Sequence, residues 1–521
     1  MGAKCALKMP KIILVPYPAQ GHVTPMLKLG SAFLGQGFQP IIVTPEFIHH
    51  RITANMDPID EIRFLSIPDG LSEEGPHDFF AIEKAMENTM PTHLEGLIHR
   101  VDEEEEDGRV ACVVIDLLAS WAIQVAYRCR IPAAGFWPNM QITYRLITAI
   151  PDMLRSSLIS KTGHVAGCPQ RQGTVCCLPG QPMLSTEDLP WLIGTQAARN
   201  ARFKFWTRTL ERSRSLRWLL VNSFPHEFTG DDHNSTDHDN PIVFPVGPLS
   251  KPAIVKNPSF WEEDSSCIDW LDKRKPNSVL YISFGSWVSP IGDAKIKTLA
   301  LTLEALRRPF IWVLAHAWRQ GLPNRYLERV SKQGKVVSWA PQLQVLQHKA
   351  VGLYLTHCGW NSTVEAIQCQ KRLLCFPIAG DQFVNCKYIV KVWKIGVKIN
   401  GFGQKDVEDA LRKVTEDGEM KERLMKLYER TMGEEATSRA VANLKAFLLD
   451  STTKQFNSLK DVYIMSEGYR NASASSSSSL NSSFQDTEDD QTIASILAEE
   501  ENLHKDGRLA KRLSHLDSIP V

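Results

Sequence analysis

The chain has 521 residues, 43% of them hydrophobic, with 59 Lys+Arg balanced by 59 Asp+Glu. That length accommodates two or three domains, and the balanced charge supplies no global basic field for nucleic acid or an anionic membrane. No run approaches the ~18 apolar residues of a membrane span. Lys8, Pro10 and Lys11 interrupt any N-terminal apolar leader. Eleven scattered cysteines without paired C-x-x-C sets argue for reduced thiols in a cytoplasmic protein and against zinc.

In chain order, Lys11–Pro16 reads as a strand, Thr24–Leu34 as a helix and Pro40–Thr44 as a second strand. Between the first strand and helix lies Pro16-Tyr17-Pro18-Ala19-Gln20-Gly21-His22. Open α/β sheets bind ligands at the carboxyl ends of their strands. His22 stands at such an end, although a single His there is more often a surface or capping residue. Ile62–Ile67 reads as a strand, Phe79–Val101 as one helix, and the acidic run Asp102–Asp107 as a solvated helix end or loop and not a metal site. The apolar strand Val110–Ile115 is ended by Asp116. Asp116 is either a helix cap or a second polar group at a strand's carboxyl end. Ala133–Phe136 is expected as a strand and Trp137–Ile150 as an apolar helix. The aromatic residues around Trp191 and Phe203–Trp206 either wall a pocket or pack a core. After the strand Leu216–Asn222, the polar stretch Asp231–Asn240 reads as an exposed loop. Its glycosylation sequon Asn234-Ser235-Thr236 is expected to be idle. Its Asp237-His238-Asp239 only superficially resembles a metal-binding pair.

Val246-Gly247-Pro248-Leu249 marks a boundary. Beyond it, Ser278–Ser283 reads as a buried strand that turns through Phe284-Gly285-Ser286 toward a helix around Asp293–Leu306. The alternation continues through Pro309–Leu314 and Val336-Val337 into the most informative stretch, Trp339 to Gln382. There the apolar run Gly352–Leu355 ends in Thr356-His357. Cys358-Gly359-Trp360 then leads into a helix start that Asn361 or Ser362 is able to cap. A strand, a glycine turn and a helix N-terminus direct free N–H groups and the positive end of the helix dipole at one spot. With His357, Asn361 and Ser362 as further donors, and Ser286 at a second glycine turn, a diphosphate fits. Trp339 offers a flat face for a base, a contact worth about 1–3 kcal/mol. Glu365 is placed to accept from ribose hydroxyls. Asp381-Gln382, after the strand Leu373–Phe376, combines a carboxylate and an amide suited to the hydroxyls of a hexose. Taken singly, each of these residues reads as well as core or loop; the informative feature is the whole string at this spacing.

That string, from Trp-Ala-Pro-Gln through His-Cys-Gly-Trp-Asn-Ser to Asp-Gln without insertion, resembles the sugar-donor signature of plant secondary-product UDP-glycosyltransferases. The similarity extends over residues 10–450 and is nearest the branch numbered 82. It implies that Trp339, Ala340 and Gln342 hold uracil and ribose. His357, Asn361 and Ser362 then hold the diphosphate, Glu365 the ribose, and Trp360, Asp381 and Gln382 the sugar. The final Gln favours UDP-glucose over UDP-galactose. The chain departs from the family's usual Gly-Val-Pro at Gln370-Lys371-Arg372. The Pro-x-Pro-x-Gln-Gly-His stretch matches the family's N-terminal motif, whose His is the general base, with Asp116 matching its partner.

The implied fold is α/β, of the GT-B type: two Rossmann-like domains with parallel sheets facing a cleft. An acceptor-binding domain is expected over 1–247, a linker over 248–265 and a UDP-sugar domain over 266–435. A helix over 436–450 is expected to cross back to the first domain, and a disordered tail to fill 451–521. The implied reaction is inverting transfer of glucose from UDP-glucose to a hydroxyl or carboxyl of a small apolar acceptor. No metal and no cofactor are called for, and a monomer is expected. Two other readings stay open: a sugar-nucleotide epimerase, and a non-catalytic UDP-sugar sensor whose tail binds partners.

Overall fold

A computed structural model describes residues 9–54, 62–71, 79–104, 109–164, 174–175, 182, 184–185, 188–224, 241–249, 260–286 and 291–468. The expected loop 231–240 with its sequon and Asp237–Asp239, and the tail beyond Gly468, lie outside the described residues.

The first sheet has seven parallel strands: β1 (Lys11–Val15), β2 (Gln39–Pro45), β3 (Arg63–Ile67), β4 (Val110–Asp116), β5 (Ala133–Trp137), β8 (Trp218–Val221) and β9 (Ile242–Pro245). A two-stranded antiparallel ribbon of β6 (Thr174–Val175) and β7 (Leu184–Ser185) stands apart. The second sheet has six parallel strands: β10 (Val279–Ser283), β11 (Phe310–Val313), β12 (Gly334–Val337), β13 (Val351–Thr356), β14 (Arg372–Cys375) and β15 (Gly396–Lys398). The central strands β1, β4, β10 and β13 are buried along their whole length. Their near-continuous apolar runs are what a parallel strand covered on both faces requires.

The strand orders position the site. The first sheet runs β3-β2-β1-β4-β5-β8-β9 and the second β12-β11-β10-β13-β14-β15. Each order reverses direction once, between β1 and β4 and between β10 and β13. Connections leave such a switch point on opposite faces and open a crevice at the strands' carboxyl ends. His22 follows β1 and Asp116 ends β4; Gly285 follows β10 and His357 follows β13.

Several element boundaries differ from expectation. The first helix spans Gln20–Leu34, so His22 lies in its first turn and not in the loop before it. The single helix expected over 79–101 is two, Phe79–Asn88 and Met90–Glu103. Pro91 lacks the N–H that continuity would need and sits instead in a first turn, where none is required. Trp137 ends β5, and the helix after it starts only at Gln141.

The last helix runs from Glu434 to Gly468, past the expected boundary at Ser451. Its Leu444, Phe447 and Leu448 pack into the core of the first sheet. The Phe447 ring lies 6.2 Å from Phe33, 6.1 Å from Trp218 and 5.9 Å from Phe244. Trp218 Nε1 donates to Asp450 (2.7 Å) and Asn443 Nδ2 to the Pro245 carbonyl (2.8 Å). No described helix is long and apolar enough to cross a membrane.

Candidate active site

On the first-lobe side, His22 Nδ1 lies 2.7 Å from Asp116 Oδ2. Asp116 is fully buried, and its other oxygen accepts from the Leu118 amide at 2.9 Å. Both sequence readings of Asp116 therefore hold: it caps the turn after β4 and it partners the histidine. The carboxylate can only accept, so it fixes the proton on Nδ1 and leaves Nε2 as a bare acceptor in the neutral ring. The Tyr17 ring packs edge-on against the imidazole at 5.2 Å and limits its rotation.

On the second-lobe side, the helix Trp360–Gln368 starts directly after Gly359, with no side-chain cap. The expectation that Asn361 or Ser362 caps it is corrected: both lie inside its first turn. Their side chains are thereby free for other work, and the first-turn N–H groups have no intrahelical partners. The His357 ring is clasped between two glycines. A Cβ at Gly285 or Gly359 would stand 2.6 or 2.4 Å from His357 Nε2, and Gly285 has φ +83°. Burial holds the His357 imidazole down to about 4, so it is neutral at pH 7, and its buried Nδ1 has no hydrogen-bond partner among the described residues. Ser286 follows Gly285 directly and is half-buried.

Gln342 is the hub of a polar network. Its Oε1 accepts from the hydroxyls of Tyr281 (3.2 Å) and Tyr354 (3.1 Å), while its Nε2 donates to Ser362 Oγ (3.0 Å) and Glu365 Oε2 (2.7 Å). Ser362 and Glu365 are thus set in place from behind by β10, β13 and the helix Gln342–Gln347. Trp339 stacks on Trp261 with centroids 4.8 Å apart and planes at 34°, and its carbonyl accepts from the Asp264 amide. Ala340 is buried beside it.

Two of the predicted donor-site residues also join the lobes. Asn361 Nδ2 donates to the Gly21 carbonyl at 2.8 Å, one residue from His22. Trp360 Nε1 donates to the Asn222 carbonyl at 2.7 Å, with the indole buried against Phe224. The only polar atom of the Trp360 side chain is therefore engaged. The indole N–H thus makes an interlobe hydrogen bond, and the sugar contact expected of Trp360 falls to its backbone N–H in the helix's first turn.

Asp381 and Gln382 open the helix Gln382–Lys387. Gln382 Oε1 accepts from the Ile378 and Ala379 amides, both at 2.9 Å, which leaves its NH2 for a ligand. Asp381 Oδ2 accepts from Asn385 Nδ2 (2.7 Å), which also donates to the Cys358 carbonyl (2.9 Å) and ties this helix to the turn after β13. Burial pushes the Asp381 carboxyl up to about 6, opposed by the Asn385 hydrogen bond and by the charge of His22. The intended hexose pair is thus within electrostatic reach of the histidine on the opposite lobe.

The Gln370-Lys371-Arg372 departure is accommodated locally. Gln370 takes φ +51°, Lys371 Nζ donates to the Val351 carbonyl at 2.8 Å, and Arg372 donates to the Val414 carbonyl at 3.0 Å. Trp191, Phe203 and Phe205 are core, whereas Trp206 is only partly buried and lies 6.0 Å from Trp137. Sequence reasoning missed Gly21, Asn222, Trp261, Tyr281 and Tyr354. Asn222 carried a usable signal, since it is a polar residue just past the end of a strand, as Asp116 is at its own.

Residues 267–432 match the family model described as UDP-glucoronosyl and UDP-glucosyl transferase. UDP-glycosyltransferase 82A1 of Arabidopsis thaliana is 55% identical over 449 residues, covering 82% of this chain and 95% of that protein. (R)-mandelonitrile beta-glucosyltransferase of Prunus dulcis is 28% identical, covering 84% of this chain and 95% of that protein. Among solved structures, Medicago truncatula UGT71G1 complexed with UDP-glucose matches with TM-score 0.68 and 21% identity, covering 85% of this chain and 98% of that one. A UDP-glucosyltransferase from Polygonum tinctorium matches with TM-score 0.70 and 23% identity, covering 84% of this chain and 98% of that one. These structural likenesses establish the two-domain GT-B fold. With 55% identity over an alignment that spans 95% of a relative, the chain belongs to the plant UDP-glycosyltransferase family and is a UDP-sugar-dependent glycosyltransferase.

Proposed function

We propose that the enzyme transfers glucose from UDP-glucose to a hydroxyl of a small apolar acceptor, with inversion to the β-glucoside. The observation that carries this reading is the Asn361–Gly21 hydrogen bond of 2.8 Å. It sets the first turn of the donor helix beside the first turn that bears His22, so base and donor share one crevice. Trp339, backed by Trp261, is the platform for uracil. Glu365 accepts from the ribose, and Gln342 holds Glu365 and Ser362 in place. The first-turn amides of the helix Trp360–Gln368, with His357, Asn361, Ser362 and Ser286, meet the diphosphate charge. Asp381 and the free NH2 of Gln382 hold the hexose. The beta-glucosyltransferase name of the Prunus dulcis relative supports the same transferred sugar and product class.

In the reaction, the acceptor O–H gives its proton to His22 Nε2. The oxygen forms a bond to the anomeric carbon as the bond from that carbon to the phosphate oxygen breaks, and the electron pair leaves with UDP. Asp116 steadies the imidazolium that forms. Developing charge on the leaving phosphate is met by fixed donors that need no reorganisation. The partly buried Trp206 supports an apolar acceptor on the first-lobe side.

Mass spectrometry after incubation with UDP-glucose and a panel of phenols, terpenoid alcohols and hydroxynitriles tests this reading. A hexoside whose anomeric proton shows β geometry by NMR is expected. Acceptor-independent release of UDP with an epimerised sugar, or donor binding without transfer to any acceptor, would overturn it.

A further inference from the structure

We propose that Cys358, Cys375 and Cys386 form a buried trithiolate site for a thiophilic d10 cation, Zn2+ or Cd2+, beside the sugar end of the donor site. The three Sγ atoms lie within 4.8 Å of one another. They come from three different elements: the turn after β13, the last residue of β14 and the helix Gln382–Lys387. All three residues are buried. A Zn–S bond of about 2.3 Å implies sulfur–sulfur edges of roughly 3.8–4.0 Å around a three-coordinate ion. The triangle needs to contract by less than about 1 Å to meet that geometry.

Sequence spacing concealed this site. The cysteines are 17 and 11 positions apart, with no C-x-x-C pair, and only the parallel pairing of β13 with β14 brings the first two together. Soft sulfur ligands in a closed pocket select thiophilic ions over Mg2+ or Ca2+, which require oxygen. Three thiolates around a divalent ion leave one net negative charge. Burial raises the Cys358 and Cys375 thiols well above the ordinary thiol value, opposed at Cys375 by the charge of Lys398 at the end of β15, so the ion has to displace protons that the closed pocket retains. Binding forms three metal–sulfur bonds and releases the thiol protons to solvent. Close packing of three small side chains is the plain alternative, and it predicts no affinity for a metal.

The site has a mechanical consequence. Cys358 is adjacent to His357 and has φ +67°, while Cys386 lies on the helix opened by Asp381 and Gln382. Asn385 already bridges these two pieces through Cys358 and Asp381. An ion that draws the sulfurs together shifts the hexose pair against the diphosphate turn, so occupancy lowers turnover. This inhibitory arm rests on the donor-site reading; the binding arm does not.

The test uses the full, tag-free, reduced chain titrated with Zn2+ or Cd2+. X-ray absorption of the zinc-loaded protein is expected to show three sulfur neighbours at about 2.3 Å. Thiolate-to-cadmium charge transfer should saturate at one equivalent. Cys375→Ala or Cys386→Ala is expected to weaken binding by about tenfold or more, while Cys112→Ala, buried in β4, leaves it unchanged. A nitrogen and oxygen first shell in the wild type, absence of any bound ion, or affinity unaltered by both variants would overturn the site. The absorption measurement needs no variant, so misfolding of a cysteine mutant does not shelter the proposal. Unaltered turnover in zinc-loaded protein with a verified sulfur shell would overturn the inhibitory arm alone.

Discussion

Asp116→Asn separates the orientation of the base from its presence. Asp116 uses its two oxygens differently, Oδ2 on His22 Nδ1 at 2.7 Å and Oδ1 on the Leu118 amide at 2.9 Å. The Leu118 N–H is a buried donor that must keep an acceptor. In the asparagine variant the amide oxygen therefore stays with Leu118, and the NH2 turns to His22. Because an NH2 donates, Nδ1 has to accept and the ring proton moves to Nε2. The ring then carries a proton at the position where it has to remove one. General-base catalysis contributes about 10²–10⁴-fold, equivalent to roughly 3–5 kcal/mol of barrier. The side chain's volume hardly changes, so the melting temperature and UDP affinity should stay close to those of the wild type. Single-turnover glucosylation of a phenol at saturating UDP-glucose, run beside a UDP titration, gives both numbers. Transfer within about threefold of wild type, at unchanged UDP affinity, would refute the tautomer argument.

Other predictions follow from individual contacts. Trp360→Phe removes the N–H that satisfies the Asn222 carbonyl and leaves a buried acceptor unpaired; a loss of about 1–3 kcal/mol is expected, measured as a lower melting temperature and weaker UDP-glucose binding. Gly285→Ala places a Cβ 2.6 Å from His357 Nε2 at a φ of +83°, so UDP affinity should fall by about tenfold or more, ~1.4 kcal/mol, by calorimetry. Asp381 has a folded pKa of about 6 against an unfolded 3.8. The native state holds that proton more tightly, so this group adds stability as pH falls from 6 toward 3.8 and subtracts it above 6. Donor binding has the opposite sense, because protonation removes a hydroxyl acceptor. The affinity for UDP-glucose relative to UDP should therefore drop as pH passes down through 6, and Asp381→Asn should abolish that dependence.

The parts of this architecture that depend on local pattern could be read before any coordinates. Fully apolar runs such as Val110–Ile115 announced parallel strands, and polar residues at their carboxyl ends, His22 and Asp116, marked the first-lobe crevice. What the sequence concealed depends on how distant segments meet. The resemblance implies a sugar contact for Trp360; only the packed lobes reveal that its indole N–H also bonds Asn222 across the cleft. Gln342 could be placed at the nucleotide but not recognised as the residue that unites Tyr281, Tyr354, Ser362 and Glu365, since those partners come from three separate elements. Helix boundaries failed where one residue decides the matter: Pro91 splits the segment after Phe79, and a bare Gly359 starts the donor helix.

The most direct measurement is the single-turnover rate of His22→Ala with saturating UDP-glucose and a phenolic alcohol, paired with its affinity for UDP-glucose. A fall of about 10²–10⁴-fold in transfer with donor affinity preserved is the predicted result, because the proposed mechanism has His22 act on the acceptor while the opposite lobe holds the nucleotide. Wild-type transfer by that variant would contradict the assignment of His22 as the base.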